Sequence, residues 1–261
     1  YKESNYLMND FETPMMIDTV MSNSHLFQTH YDGTGNPKQD LGAYGSSQKA
    51  YYFDAPAELG ATFGYHALDA SNYTSDEIQY FDTHSPYSRL EYVQGLDGQQ
   101  IFNVDFSRSA SENFNFGFHF RRFRTNRMIG KNTDKDPFGD NLSANVNIRA
   151  QTSNKRYLLL ANYRFMKHTQ FETGGFYDES TQDATYDYFT DDFASTNLSG
   201  AETQLRDNTW HMYQQYNVSN DSSLNAKLQL FHVFERKKQR FSYIDDKLRT
   251  TRTEIDYLSL I

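Results

Sequence analysis

Residues Asn113 to Arg122 read Asn-Phe-Asn-Phe-Gly-Phe-His-Phe-Arg-Arg, so a large aromatic side chain occupies every second position. The positions between these aromatics are small, polar or charged. Because successive side chains of a β-strand point to opposite faces, this period of two predicts a strand with one aromatic and one polar face. In a water-soluble sheet the aromatic face would pack on a core, so a single strand of this kind does not decide the class of protein.

The same alternation recurs further along the chain. Residues Asn141 to Ala150 alternate throughout between polar and apolar side chains. About 9–11 residues is the length that a tilted strand needs to cross the hydrocarbon layer of a bilayer. Several such strands, each with a polar second face, predict an all-β fold: an antiparallel transmembrane β-barrel of the outer-membrane type around a wet interior.

The composition agrees with this class. The 261 residues include no apolar run that approaches the roughly 18 residues of a membrane helix, which excludes a helical membrane protein. In a membrane barrel the lipid-facing residues are only every second one, so they do not accumulate in such a run. The 20 Tyr and 21 Phe fit the aromatic girdles of a barrel, and an aromatic-rich soluble β-sandwich is the alternative.

Several other classes of function receive no support from the sequence. The chain has no cysteine, which rules out disulfides and thiolate metal sites, and its net charge of −9 argues against nucleic acid as a partner. The acidic segment from Asn132 to Asp136 lacks the glycine and the closing glutamate of a calcium loop, since Pro137 stands at the glycine position. No Gly-x-Ser-x-Gly or His-Glu-x-x-His motif is present. We therefore expect no enzymatic activity, no catalytic residues, no metal and no cofactor.

The chain divides into two parts by its regularity. Residues 1–56 are predicted to form an irregular or plug-like N-terminal segment with uncertain strands. Residues 57–261 are predicted to form the strands of the barrel. A strand is expected over 57–67, and the spacing of Ile78 and Tyr80 suggests another. From Pro86 onward the alternating strands follow one another regularly.

The lengths of the connections support a membrane barrel. Short polar connections are predicted at 109–112, 151–154 and 219–222, long ones at 125–140 and 167–207, and a charged one of medium length at 235–251. Membrane barrels have short periplasmic turns and longer external loops, and a structureless connection as long as 167–207 is rare in a compact soluble domain. Because few strands are predicted before Pro86 and the last begins only near Thr253, we expect this chain to form part of a longer barrel.

A family resemblance is carried by five short segments. They are Ser-Pro-Tyr-Ser-Arg-Leu-Glu-Tyr-Val-Gln-Gly at 85–95, Gln-Gln-Ile-Phe at 99–102, Asn-Phe-Asn-Phe-Gly-Phe at 113–118, Asn-Lys-Arg-Tyr at 154–157 and Leu-Leu-Ala-Asn-Tyr at 159–163. In this order and spacing, over roughly 41–216, the chain resembles the putative porin family of Bacteroidota. The resemblance implies an outer-membrane β-barrel longer than this chain. It implies no particular solute and no site residues.

Two groups of residues are candidates for function. Charged side chains on the predicted lumen faces are candidates for pore lining, because opposed charges inside a barrel orient permeating solutes. They are Arg89, Glu91, Asp105, His119, Arg121, Arg149 and Arg164. The alternative is that these charges pair with one another and fill the interior. In the acidic, tyrosine-rich connection, Asp187, Tyr188, Asp191 and Asp192 are candidates for binding cations or saccharides, and a solvated charged loop is the alternative.

The sequence therefore predicts a protein of the bacterial outer membrane that allows passive passage of small hydrophilic solutes. The expected partners are membrane lipid or lipopolysaccharide, the solutes themselves and possible envelope proteins. The main alternative is a non-conducting barrel whose loops bind a partner protein or a glycan as part of an envelope assembly. A soluble β-sandwich with a ligand-binding face is the third hypothesis.

Overall fold

The structure, a computed structural model, describes most of the regular part of the chain. The described ranges are 1–8, 38–39, 45–53, 66–68, 75, 78–95, 98–126, 137–175, 196–198, 200–218, 228–245 and, for the backbone, 248–260. Most of the strand predicted over 57–67 lies outside these residues, and the described residues 66–68 are not in a strand.

One antiparallel sheet of eight strands dominates the fold. A short helix, α1 (Glu3–Met8), and two paired two-residue strands, β1 (Lys38–Gln39) and β2 (Lys49–Ala50), precede it. The strands of the sheet are β3 (Tyr87–Gln94), β4 (Gln100–Ser111), β5 (Phe114–Asn126), β6 (Pro137–Gln151), β7 (Tyr157–Glu172), β8 (Ala201–Asn217), β9 (Gln229–Asp245) and β10 (Leu248–Leu260).

Every strand of this sheet pairs with the strand next to it in the chain, so the spatial order is the chain order. The predicted all-β, antiparallel class is thereby confirmed. The edge strands are β3 and β10, and the described residues show no pairing between them. Among the described residues, no helix is long and apolar enough to cross a membrane.

The exposed face of the sheet is apolar. Phe118 on β5 faces Val146 on β6, Val146 faces Tyr163 on β7, and Tyr163 faces Trp210 on β8. Val146 and Trp210 are 50% and 57% exposed, and the ring centres of Tyr163 and Trp210 lie 4.4 Å apart. Cross-strand contacts of this kind stabilise the sheet, but they leave its large apolar side chains uncovered.

The opposite face is covered by the described residues that precede β3. We call all of these residues the N-terminal segment, which therefore extends beyond the predicted boundary at residue 56. Tyr6 of α1, together with Ile78 and Tyr80, forms a buried cluster with Leu158 and Leu160 of β7. Ile78 and Tyr80 are not in a strand, contrary to their spacing, because they pack their side chains onto this face from an irregular segment. The core of the described structure thus lies between the N-terminal segment and the sheet.

Two predicted connections are much shorter than expected. The prediction of a charged loop at 235–251 is wrong, because β9 continues to Asp245 and β10 begins at Leu248. The connection predicted at 167–207 shrinks to 173–200, because β7 and β8 extend into it. In both regions the backbone stays paired with the neighbouring strand. Because polar residues occupy both faces there, the sequence lacks the apolar–polar alternation by which a strand is recognised.

Gly45 provides a test of how the N-terminal segment sits on the sheet. Its φ is +82°, and a Cβ atom at this position would lie 2.1 Å from Cε2 of Phe123 on β5. We expect Gly45→Ala to destabilise this contact by about 1–2 kcal/mol, because the left-handed backbone is strained with a side chain, and the clash adds to that cost. Limited proteolysis should then cleave the N-terminal segment faster while the sheet stays resistant.

Gly175, which lies outside the N-terminal segment, provides a control for alanine at a left-handed glycine. Gly175 also has a positive φ, of +85°, but a Cβ there would come no closer than 3.7 Å to a neighbouring atom. We expect Gly175→Ala to leave cleavage of the N-terminal segment at the wild-type rate. Equal cleavage of the two variants would contradict the contact between Gly45 and Phe123.

Candidate functional site

Polar side chains of the central strands lie on the buried face of the sheet. Asn145 is 6% exposed whereas its neighbour Val146 is 50% exposed, which is the reverse of a sheet that buries its apolar face. The buried polar residues of β5 to β8 include Asn115, Arg121, Asn145, Asn147, Arg149, Asn162, Arg164, Asp207, Thr209 and His211. Buried polar groups require hydrogen-bond partners, and these come from neighbouring strands and from the N-terminal segment.

Two tyrosines of the N-terminal segment bond to this polar face. Arg149 Nε donates to the hydroxyl of Tyr6 at 3.0 Å, and Asn162 Nδ2 donates to the hydroxyl of Tyr80 at 2.9 Å. Burial raises the pKa of both hydroxyl groups above the ordinary value of tyrosine. Both tyrosines therefore stay neutral at physiological pH and hold the segment by hydrogen bonds.

Charged side chains add to this attachment. The Glu3 carboxylate of α1 lies 2.6 Å from Nε2 of His211, whose Nδ1 lies 3.0 Å from Glu235 on β9. Asp82 lies 3.3 Å from Nη2 of Arg149. The residues that contact the sheet thus come from both sides of the boundary predicted at residue 56.

A cavity of about 160 Å³ lies between this segment and the sheet. Four of the seven predicted pore-lining residues line it: Arg89, Asp105, His119 and Arg164. The N-terminal segment contributes Ile78 and Phe81 to the wall. The volume is enough for several water molecules or one small solute.

The charges on one side of the cavity are paired with neighbours in the sheet. Arg89 Nη2 lies 2.9 Å from Glu91, which also accepts a hydrogen bond from Asn103 Nδ2 at 3.2 Å. His119 Nδ1 lies 2.5 Å from Asp105 on the adjacent strand. These side chains are partly exposed, so charged groups of both signs face the same space.

The ion pair on the other side of the cavity is deeply buried. Arg164 Nη2 donates to Oδ1 of Asp207 and to Oγ1 of Thr209, each at 3.1 Å. Thr209 donates to Asp207 at 2.7 Å, and Gln239 Nε2 donates to its other oxygen at 2.8 Å. The side chains of Arg164 and Asp207 are 4% and 0% exposed, so three strands cooperate to satisfy one buried carboxylate.

Some polar atoms at the cavity wall have no hydrogen-bond partner within the described structure. Nε and Nη1 of Arg164 and Oγ of Ser143 are buried, and both residues line the cavity. An unmet buried donor costs about 1–3 kcal/mol, so these atoms favour a guest with hydroxyl, carboxylate or water oxygens. The cavity wall therefore presents unmet polar atoms of Arg164 and Ser143 to the enclosed space.

The other three predicted pore-lining residues do not line this cavity. Glu91 is paired with Arg89, and Arg149 is paired with Asp82 of the N-terminal segment. The guanidinium of Arg121 lies 5.4 Å from the ring centre of Phe123, in cation–π geometry. The four loop candidates, Asp187, Tyr188, Asp191 and Asp192, lie outside the described residues and remain predictions.

Several residues of the site were not predicted from the sequence. The sequence pattern predicts loops at Asp207 and Gln239, although both residues continue the buried face of their strands. The signal that could have placed them is the parity of their strands, since Asp207 shares the face of Thr209 and His211. Ile78 and Phe81 reach the site only through the packing of the N-terminal segment.

A family comparison identifies the kind of protein. A family model described as putative porin matches residues 2–259, which is nearly the whole chain. The chain belongs to this putative porin family. A comparison with curated proteins gives no match. Membership in the porin family supports a porin-type role at an outer membrane in general, and the site described above is the polar side of the porin sheet.

Proposed function

We propose that this porin forms part of a transmembrane β-barrel in the outer membrane of a bacterium, as in Bacteroidota, and allows passive passage of small hydrophilic solutes. The observation that carries the proposal is the inversion of the sheet, in which polar side chains are buried and large apolar side chains are exposed. A face of this kind is stable in lipid and costly in water.

The height of the apolar face suits a bilayer. On β7 it extends from Tyr157 to Phe165, and a strand rises about 3.4 Å per residue, so this stretch is about 27 Å long. A tilt of about 40° reduces its height to about 21 Å, close to the roughly 25 Å apolar band of outer-membrane barrels. Phe114 to Phe120 on β5 extend the same band across the sheet.

A lipid environment also requires the edge strands of the sheet to be paired. The backbone groups at the edges β3 and β10 each cost several kcal/mol when unpaired in hydrocarbon. In the membrane we therefore expect each edge to pair, either with the other edge or with further strands. The polar face then becomes the inner wall of a barrel, and the N-terminal segment lies within it as a plug.

The route that we propose for solutes runs between the plug and the wall. The cavity lies there, and Arg89 and Asp105 bring opposite charges to it. Such charges set up a transverse field that orients polar solutes and rejects apolar ones. Arg164 and Ser143, which line the same space, offer hydrogen bonds to it.

One observation favours a second candidate function. The N-terminal segment makes buried contacts along the polar face, including those of Tyr6 and Tyr80, and so occupies much of the potential path. A barrel with a firmly held plug can serve as a non-conducting scaffold whose loops bind a partner protein or a glycan in an envelope assembly. Asp187, Tyr188, Asp191 and Asp192 are our candidates for such a loop surface.

Conductance in a planar lipid bilayer separates these functions. We expect the full-length protein, purified in detergent, to give stable current steps, and Arg89→Gln to shift the ion selectivity towards cations, because it removes a positive charge from the cavity wall. The matched control is Arg156→Gln, in the exposed turn between β6 and β7, which should leave selectivity unchanged. Silence from protein that is folded and inserted would contradict the channel and favour the scaffold.

A further inference from the structure

A row of cations crosses the exposed face above the apolar band. Lys167 on β7 lies directly opposite Arg206 on β8, and Arg206 lies opposite Arg240 on β9. Lys167 and Arg206 have the same strand parity as Tyr163 and Trp210, so they belong to the exposed face. They follow immediately beyond Phe165, where the apolar band ends.

This arrangement is unfavourable for the protein alone. Like charges directly opposite on neighbouring strands destabilise a sheet. At one end of the row the charge is balanced, since Arg122 pairs with Asp140 at 3.3 Å. At the other end, the backbone register places Arg240 opposite Glu254 of β10. In the middle, Lys167 has Leu142 and Arg206 as its register partners.

Among the described residues, Arg206 has a neutral hydrogen-bond partner on its own strand. Arg206 Nε donates to Oε1 of Gln204 at 3.0 Å, and this amide carries no charge. An anion placed between Lys167 and Arg206 would replace repulsion with two charge-assisted contacts. Opposite side chains start about 4.5–5.5 Å apart at Cβ, a spacing that lets one phosphate group contact both cations.

The position of the row selects the source of that anion. It lies at the end of the sheet that carries the longest connection, 173–200, together with 95–99, 127–136 and 246–247, whereas 112–113, 152–156 and 218–228 lie at the other end. Long loops face the outside of outer-membrane barrels, so the row lies at the headgroup level of the outer leaflet. The phosphate-bearing lipid of that leaflet is lipopolysaccharide.

We propose that Lys167 and Arg206, flanked by Arg240, form a binding site for a phosphate group of the lipid A part of lipopolysaccharide. The site rests on the proposed membrane orientation but is independent of whether the barrel conducts. Arg206 supplies the planar donor set that matches phosphate oxygens, and Lys167 supplies a compact charge. The bound lipid also relieves the repulsion across β7 and β8.

The test uses the full chain in phosphatidylcholine vesicles to which diphosphoryl lipid A or its dephosphorylated form is added. Binding is measured by co-flotation and native mass spectrometry. Because each basic residue near an anionic surface contributes about 1 kcal/mol, we expect Lys167→Gln with Arg206→Gln to weaken diphosphoryl lipid A binding roughly thirtyfold. The matched control is Lys155→Gln with Arg156→Gln, two exposed cations at the opposite end of the sheet, which should bind as wild type.

Each outcome decides a separate point. Wild-type affinity in the Lys167 and Arg206 double variant, or equal binding of the dephosphorylated lipid, would overturn the phosphate site while leaving the barrel proposal intact. An equal loss in the control variant would show a diffuse charge effect and would also overturn the site. Protein that stays soluble and does not float with vesicles would overturn both proposals.

Discussion

We expect Val146→Arg to destabilise the protein folded in lipid vesicles by about 2–4 kcal/mol, which is the cost of a cation on the lipid face near the bilayer midplane. Val146 lies in the middle of the exposed apolar face, between Phe118 and Tyr163, and is 50% exposed. Urea titration of vesicle-bound protein measures the effect. The single tryptophan, Trp210, lies on the same face and reports transfer into lipid by its fluorescence.

A depth control makes this result specific. Thr169→Arg lies on the same face of β7, beyond the basic row, and should cost only about 0–1 kcal/mol because it reaches the interface. In a soluble sheet the exposed Val146 would tolerate arginine within about 0.5 kcal/mol. Equal and small costs at both positions would therefore contradict the membrane assignment of this face.

The second large effect is expected at the buried ion pair. Asp207→Ala should destabilise the protein by about 3–5 kcal/mol, because it leaves the guanidinium of Arg164 buried without its counter-charge. Asp207 also accepts hydrogen bonds from Thr209 and Gln239, so their donors lose a partner as well. The same urea titration, followed by Trp210 fluorescence, gives the change in unfolding free energy.

The double variant Arg164→Met with Asp207→Leu provides the comparison. Replacing both members of a buried pair by apolar residues is often neutral, so the double variant should recover most of the lost stability. If Asp207→Ala alone costs less than about 1 kcal/mol, the pair behaves as a solvent-exposed one. That result would mean that water fills this part of the interior, and the ion pair would then belong to an open pore wall.

The centre of the sheet could be predicted from the sequence because its strands have two chemically different faces. The aromatic alternation from Phe114 and the alternation from Asn141 correspond to β5 and β6, and Phe116 lies opposite Ile148 on the exposed face. Burial follows the same parity, since Asn115 and Asn147 are buried while Phe116 and Val146 are exposed. The period of two is strongest where one face meets a polar environment and the other an apolar one.

The ends of the strands could not be predicted in the same way. Beyond the apolar band, both faces of β9 become polar, as at Arg236 to Arg240, and the period of two disappears although the backbone pairing continues. Pairing there depends on the neighbouring strand, whose position the local sequence does not contain. This explains why 235–245 resembled a loop.

Of the candidate site, only the part of the cavity wall formed by the sheet could be predicted from the sequence. The parity of β3, β4, β5 and β7 brings Arg89, Asp105, His119 and Arg164 to one face, and these four meet at the cavity. The N-terminal segment covers part of that face, through residues such as Ile78 and Tyr80, and leaves the rest as the cavity wall. Their contacts lie far away in sequence and leave no periodic signal.

The attachment of the N-terminal segment also sets an order of assembly. Each strand of the sheet pairs with its neighbour in the chain, so the sheet can grow hairpin by hairpin from local contacts. The contact between Glu3 and His211 instead spans 208 positions, and its partners exist only after β8 has joined the sheet. Glu3 precedes the sheet in the chain but finds its partner only after β8 is in place, so until then the half-built sheet presents its polar face to water.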